Sequence, residues 1–174
     1  MPRPSYDAPP QMQIDPNGTY VAVMETSHGT ITIELFAADA PNTVNSFTFL
    51  ARDGFYDGLT FHRIIPGFVI QGGDPQGTGA GGPGYEFEDE LDNDLGYQAG
   101  TLAMANAGPH TNGSQFFIVS GAEGERLPKN YTIFGRVSDG MDAVKAIERV
   151  STDVSDRPKE PVVIQSVRIE EPAS

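Results

Sequence analysis

Two apolar stretches of this chain carry polar side chains that could do chemistry. The first is Phe61-His62-Arg63-Ile64-Ile65-Pro66-Gly67-Phe68-Val69-Ile70-Gln71-Gly72-Gly73-Asp74. Within it Arg63 offers a permanent cation with a fixed fork of donors, and Gln71 offers an amide on the next apolar run. An arginine inside a buried strand is costly unless it has partners or a task. An arginine on the outer face of a sheet needs neither, and composition does not choose between the two. The second stretch is Leu102-Ala103-Met104-Ala105-Asn106-Ala107-Gly108-Pro109-His110-Thr111-Asn112-Gly113-Ser114-Gln115-Phe116-Phe117-Ile118. Its small residues Ala105, Asn106 and Ala107 let a ligand come close to the backbone, while Gln115 and Phe117 share a strand face at period two. A plain turn between two strands accounts for the same residues. What these stretches offer is a fixed cation, amides and apolar walls.

Other chemistries lack their parts. The chain has no cysteine, which removes disulfides, thiolate nucleophiles and Cys-ligated metals. His28, His62 and His110 have no metal-ligand spacing, and no serine sits in G-x-S-x-G. Gly77-Thr78-Gly79-Ala80-Gly81-Gly82 fits G-x-G-x-x-G, but Pro83-Gly84 follows where a dinucleotide site needs a helix. The acidic run of Asp89, Glu90, Asp92 and Asp94 does not make a calcium loop, since counting back from Gly96 puts Leu91 in the first ligand position. A net charge of −13, from 11 basic and 24 acidic residues, is wrong for holding a phosphate backbone. No nucleic-acid partner is expected, and the acidity reads as solubility. No apolar run reaches the ~18 residues a membrane span needs, and residues 1–15 contain none at all, so neither an anchor nor a secretory leader is expected.

The elements that must position these residues can be read from periodicity. Tyr20–Thr26 and Thr30–Phe36 alternate as strands around the turn Ser27-His28-Gly29, where Gly29 can take a positive φ. Asp39-Ala40-Pro41 opens a helix that carries Val44, Phe47, Leu50 and Ala51 at helical spacing and ends at Gly54. Ser138 or Asp139 is expected to cap a second helix, with Met141, Val144 and Ile147 as its apolar stripe. Short β-like runs fill the rest, at Thr60–Ile65, Phe68–Gln71, Thr101–Ala105, Gln115–Val119, Thr132–Val137 and Val162–Ile169. Many short strands with two isolated helices suggest a closed antiparallel barrel with helices over its ends. Residues 1–18 form a lead with prolines at 2, 4, 9, 10 and 16 and no apolar period. That lead is expected to be flexible and to pack on nothing. Residues 19–174 are expected to form a single domain.

Together with Ile133-Phe134-Gly135, the two polar-bearing stretches resemble the cyclophilins, over about Val21 to Ile169. The short loops and direct start resemble the bacterial cytosolic members. The resemblance implies a mainly β fold, a closed eight-stranded antiparallel barrel capped by two α-helices, with the active groove on its outer face. It implies a peptidyl-prolyl cis-trans isomerase that needs no cofactor and no metal, assists protein folding in the cytoplasm and works as a monomer. Proline-containing peptides and unfolded or partly folded proteins would be its partners. By position, Arg63 matches the catalytic arginine, with Phe68 and Gln71 in the groove behind it. Ala105, Asn106, Ala107, Gln115, Phe117 and Leu127 match further substrate contacts, and Gly77 matches a glycine at the entrance to a neighbouring pocket. Three positions depart from the pattern. Val69 stands where well-known members have methionine, Tyr131 where many have histidine, and Arg126 where members sensitive to cyclosporin have tryptophan. The inhibitor cyclosporin A is therefore expected to bind with weakened affinity.

The reaction suits these residues. Amide resonance sets a rotation barrier of ~18–20 kcal/mol. No bond breaks when an X–Pro peptide turns, so no nucleophile is required. At the twisted state the prolyl nitrogen regains its lone pair, and a cation donating to it stabilises that state above either planar form. Two rivals remain open on sequence alone: a module that docks proline segments without useful catalysis, and a purely scaffolding domain.

Overall fold

The computed structural model describes residues 5–171. Eight strands and two helices follow in the order β1 (Tyr20–Thr26), β2 (Gly29–Leu35), α1 (Pro41–Arg52), β3 (Arg63–Ile65), β4 (Val69–Gly72), β5 (Thr101–Met104), β6 (Phe116–Val119), β7 (Ile133–Asp139), α2 (Met141–Glu148) and β8 (Ile164–Glu170). All strand pairings are antiparallel, and the sheet runs β3-β4-β6-β5-β7-β2-β1-β8. The expected closed barrel is a curled half-barrel whose two edges meet only loosely. Between β3 and β8 the seam is an isolated Thr60–Val163 bridge, with backbone bonds from Phe61 to Val162 at 3.0 Å and from Ile164 to Leu59 at 2.7 Å.

Strand alternation divides the apolar residues into two clusters. Ile64, Ile70, Leu102, Met104, Phe116, Ile118 and Phe134 point inward and are buried with the α1 face. Phe47 of α1 plugs this interior, with ring centroids 5.1 Å from Tyr56, 5.3 Å from Phe134 and 6.0 Å from Phe116. Burying one such side chain is worth about 1.5–3 kcal/mol. Val69, Ala103, Phe117, Val119 and Ile133 point outward and form a second cluster, joined by Phe68, Ala105, Leu127 and Tyr131. This second cluster is buried as well, and its edge at Phe68, Leu127 and Tyr131 is only partly covered.

The first helix runs as its sequence indicates, with Pro41 in its first turn and Gly54 just beyond it at φ +73°. The expected cap of the second helix is displaced. Ser138 and Asp139 belong to β7, Asp139 pairing with Thr32, and the helix starts after Gly140 in a left-handed conformation at φ +97°. A Cβ at Gly140 would lie 2.2 Å from the Thr30 carbonyl oxygen, so close packing against β2 reserves this corner for glycine.

The lead departs from expectation in a more consequential way. Met1–Pro4 lie outside the described residues, but the rest of the lead touches the body of the protein at Tyr6 and again at Gln11–Ile14. Ile14 is 6 % exposed and belongs to the main core. Asn45 of α1 reads the lead's backbone: its Oδ1 accepts from the N–H groups of Gln13 (2.9 Å) and Ile14 (3.3 Å), and its Nδ2 donates to the Gln11 carbonyl (3.0 Å). One apolar anchor and one buried amide replace the periodicity whose absence suggested mobility. The signal lay in α1, where a buried Asn needs partners. Removing residues 1–18 is accordingly expected to lower Tm by more than ~5 °C, since losing a buried Ile alone costs about 2 kcal/mol or more. A thermal scan of the trimmed chain checks this, and an unchanged Tm contradicts the docked lead.

Candidate active site

The β3–β4 hairpin carries the central pair. Its register sets Arg63 opposite Gln71, with Ile64 opposite Ile70 and Ile65 opposite Val69. Since Ile64 and Ile70 face the interior, Arg63 and Gln71 must face outward. Of the two readings open for Arg63, the outer face is the right one: the side chain is exposed, at the rim of the outer apolar cluster. There it edges a cleft of about 130 Å³ whose lining includes Phe68, Val69, Phe117, Leu127 and Tyr131. That volume is about four times a water's share of the liquid, room for a small apolar ring.

A relay of amides orients the polar edge. Arg63 Nη1 donates to Gln71 Oε1 at 3.4 Å, Gln71 Nε2 donates to Gln115 Oε1 at 3.1 Å, and Gln115 Nε2 donates to the carbonyls of Gly79 and Gly81 at 2.9 Å each. The relay fixes which end of Gln71 faces the guanidinium. The long first contact leaves the guanidinium donors free for a substrate. His62, beside Arg63, is buried; burial pushes its pKa down, against the opposing pull of Asp74, so it adds no charge to this edge at neutral pH.

Phe68 is placed by parts that sequence reasoning did not single out. The Gly67 N–H donates to the Glu148 carboxylate of α2 at 2.8 Å, and the Phe68 carbonyl accepts from Ser120 N–H at 2.9 Å. Gly121 packs so tightly that a Cβ there would lie 2.5 Å from the Gly67 backbone. The clue available was Glu148 itself, a carboxylate on the inner side of an amphipathic helix. On the far wall, the Tyr131 ring meets Phe117 edge-on at 5.5 Å. Asn106 lines the cleft with its side chain committed elsewhere, to the Asn130 carbonyl at 3.0 Å and the Gly108 N–H at 3.1 Å. Ala105 lines the cleft as well.

Gln115 and Ala107 do not line this cleft. They belong to a second, larger pocket of about 650 Å³ that shares Gln71, Ala105 and Asn106 with it. The glycine-rich loop and the Pro83–Glu86 segment form the outer wall of that pocket. Gly77, expected at its entrance, is turned away: its carbonyl accepts from Arg157 Nη1 at 2.6 Å, and it is not part of the lining. The loop's resemblance to a phosphate cradle has a simple cause. Its N–H groups are given to Asp74, a buried carboxylate that accepts from Gln76 at 2.8 Å and Thr78 at 2.9 Å as well as from Gly79.

Burial pushes the Asp74 pKa up, and the loop N–H groups outweigh it, leaving it below its ordinary value of 3.8. A carboxylate lowered in this way contributes stability above its ordinary pKa, and the contribution is lost as pH falls through the folded value. Asp74→Asn replaces an acceptor by a donor facing N–H groups, and bonds to a charged group are worth about 1.5–3 kcal/mol. Its Tm is expected to fall by about 5 °C at pH 7, and the gap to wild type to shrink as the pH drops below 3.8. Thermal scans across pH 2–7 measure it. A gap that is constant with pH contradicts the role.

An arginine at the rim of an apolar cleft, on the outer face of a half-barrel, sets a fixed cation beside room for a small apolar group. The comparisons with known proteins agree with that description. The family of cyclophilin type peptidyl-prolyl cis-trans isomerases matches residues 21–169. Peptidyl-prolyl cis-trans isomerase-like 1 of Gibberella zeae is 51 % identical over 153 residues, 86 % of this chain and 94 % of its own. Peptidyl-prolyl cis-trans isomerase A of Mycobacterium tuberculosis is 48 % identical over 172 residues, covering 88 % and 94 % of the two chains. The crystal structure of a Cryptosporidium parvum cyclophilin type isomerase superposes with a TM-score of 0.84 at 36 % identity, covering 89 % of this chain and 99 % of that one. The same protein was also solved in the presence of the dipeptide Ala-Pro, with a TM-score of 0.82 at 37 % identity. The chain belongs to the cyclophilin-type peptidyl-prolyl cis-trans isomerase family, and its activity is the isomerisation of X–Pro peptide bonds.

Proposed function

We propose that the outer cleft takes the prolyl ring and that Arg63 donates to the prolyl nitrogen as the amide twists. The observation that carries this is the placement of a permanently charged donor fork at the rim of a ring-sized slot walled by Phe68, Val69, Phe117 and Leu127. In the planar ground states the nitrogen lone pair is delocalised and accepts poorly. In the twisted state it is localised and accepts well, so the donor favours the transition state over both ends of the reaction. Gln71, oriented by Gln115, holds the guanidinium or binds the rotating carbonyl. With its side chain spent on the loop, Asn106 is left to hold the substrate by main-chain groups, which read no side-chain identity. Fixing one side of the bond while the other rotates is positioning catalysis.

The second pocket adjoins the slot, and an extended chain advances about 3.3–3.6 Å per residue. It is therefore the place for a side chain one or two residues from the proline, with Ala107 and Gln115 as contacts. A relative solved in the presence of Ala-Pro supports a short prolyl peptide as the ligand class. In this reading the chain acts as a cytoplasmic monomer on unfolded or partly folded proteins. Among the described residues, no helix is long and apolar enough to cross a membrane, and no cluster of His, Asp and Glu could hold a metal ion.

An NMR titration with an Ala-Ala-Pro-Phe peptide tests the placement. Amide shifts are expected at Phe68–Gln71, Ala105–Ala107, Phe117 and Leu127. Shifts confined to the opposite edge of the sheet, at β1 and β8, would contradict it.

A further inference from the structure

The N-terminal lead does more than cover α1. At its start Tyr6 is wedged between that helix and the wall of the second pocket. Its N–H donates to the Pro83 carbonyl at 2.8 Å. Its ring lies edge-on to Phe49 at 5.1 Å, with Phe55 at 6.3 Å and Tyr85 at 6.4 Å. Its hydroxyl donates to the Asp53 carboxylate just past α1. Burial and that carboxylate push its pKa above the ordinary phenol value, so it remains a donor throughout the neutral range. The fit is close. A Cβ on Gly84, at φ +102°, would lie 2.4 Å from the Tyr6 carbonyl oxygen and 2.6 Å from Ser5 Oγ.

Pro83, Gly84, Tyr85 and Glu86 all line the second pocket, and no β-strand includes them. Their position depends on individual contacts. Tyr85 is tied to Ser46 of α1 by a 2.7 Å hydroxyl bond, and the adjoining Phe87 pairs with Asn112. Between Gly81 and Tyr85, the buried Pro83 ring lies beside Gly113, and the backbone bond that ties this stretch to the lead is the one from Tyr6 to Pro83. None of the residues of the proline slot touches the lead through a bond described above.

We propose that Tyr6 is a positioning residue for the second pocket, so that the lead sets how tightly the enzyme holds a substrate side chain flanking the proline, without touching the rotation step. This rests on the reading of the second pocket given above. The lead reaches the substrate only through the Pro83–Glu86 wall. Loosening that wall adds the ordering of a loop to the cost of binding any side chain that packs on it. Ordering costs of this size weaken binding about two- to tenfold. The effect belongs in KM, because the slot and Arg63 keep their own supports in β3, β4 and α2.

The test uses the full chain, its Tyr6→Ala and Tyr6→Phe variants, and two Ala-Pro peptides of equal length. One peptide carries glycine at every flanking position and the other lysine, whose stem can lie along Pro83 and Tyr85 with its ammonium toward Glu86. Tyr6→Ala is expected to raise KM roughly three- to tenfold for the lysine peptide with kcat unchanged, and to leave the glycine peptide alone. Both variants keep the backbone N–H; Tyr6→Phe also keeps the ring and should recover most of the loss. Amide hydrogen exchange at Tyr85–Phe87 should speed up in Tyr6→Ala while Thr101–Met104 stay protected. Equal changes for both peptides, no change for either, or unaltered exchange at Tyr85–Phe87 would overturn the proposal. Exchange reads the hold of Tyr6 on the wall whether or not a peptide turns over. An inactive wild type would instead count against the functional reading of the cleft.

Discussion

Replacing Arg63 by alanine is expected to lower kcat/KM for X–Pro isomerisation by roughly two to three decades, the usual effect of removing one preorganised donor from a developing charge. Arg63 is exposed and its bond to Gln71 is a long 3.4 Å, so the folded state owes it little. Tm should therefore hold within a few degrees. Arg63→Lys should recover only part of the loss, because an ammonium on a flexible stem is strongly hydrated and lacks the fixed fork. A protease-coupled assay on a proline peptide measures all three proteins. Activity of Arg63→Ala within threefold of wild type would remove the arginine from the mechanism.

Cyclosporin A should bind this chain about ten- to a hundredfold more weakly than it binds Arg126→Trp. Arg126 ends a single 3₁₀ turn, Gly124–Arg126, just before Leu127 enters the wall of the cleft. The turn is pinned there by Glu125, whose carboxylate accepts from Ala99 N–H at 3.1 Å. A tryptophan in that place presents a flat apolar face and one N–H donor. The arginine is exposed, its stem able to cover apolar surface but its head drawn to water. One lost hydrogen bond costs about 0.5–1.5 kcal/mol, and lost aromatic contact brings the sum to one or two decades. Peptide isomerisation should be nearly the same in both proteins, because the slot is built from Phe68, Phe117 and Leu127. Calorimetric titration of the two proteins settles it, and equal affinities would show that residue 126 does not set the inhibitor's grip.

What could be read in advance was what local pattern dictates. The short β-like runs Phe68–Gln71 and Gln115–Val119 identify the strands, and period two puts Gln115 and Phe117 on one face. Helical spacing of Val44, Phe47 and Leu50 identifies α1. The parts that were not legible depend on long-range encounters. The burial of Ile14 needs Asn45, 31 residues away, and the carboxylate that holds the Gly67 turn lies 81 residues on, at Glu148. The closure of the barrel was overread because strand count says nothing about whether the two edge strands pair. Ser138 or Asp139 was expected as the helix cap because Ser and Asp are good ones; β7 claims both, Asp139 pairing with Thr32, and the corner is left to Gly140. Gly77 is absent from the second pocket's lining because the loop folds around the buried Asp74, a contact that glycine spacing does not encode.

The central claim is that Arg63 acts on the twisted amide and not on the bound peptide. NMR exchange spectroscopy at several concentrations of a proline peptide gives, in one experiment, the Kd of the complex and the rate of cis-trans rotation on the enzyme. For Arg63→Ala the account predicts a Kd within about threefold of wild type and an on-enzyme rotation rate lower by a hundredfold or more, the signature of an interaction made only in the transition state. A Kd weakened by the same factor as kcat/KM, with the on-enzyme rate unchanged, would show that Arg63 merely holds the substrate, and would contradict the mechanism.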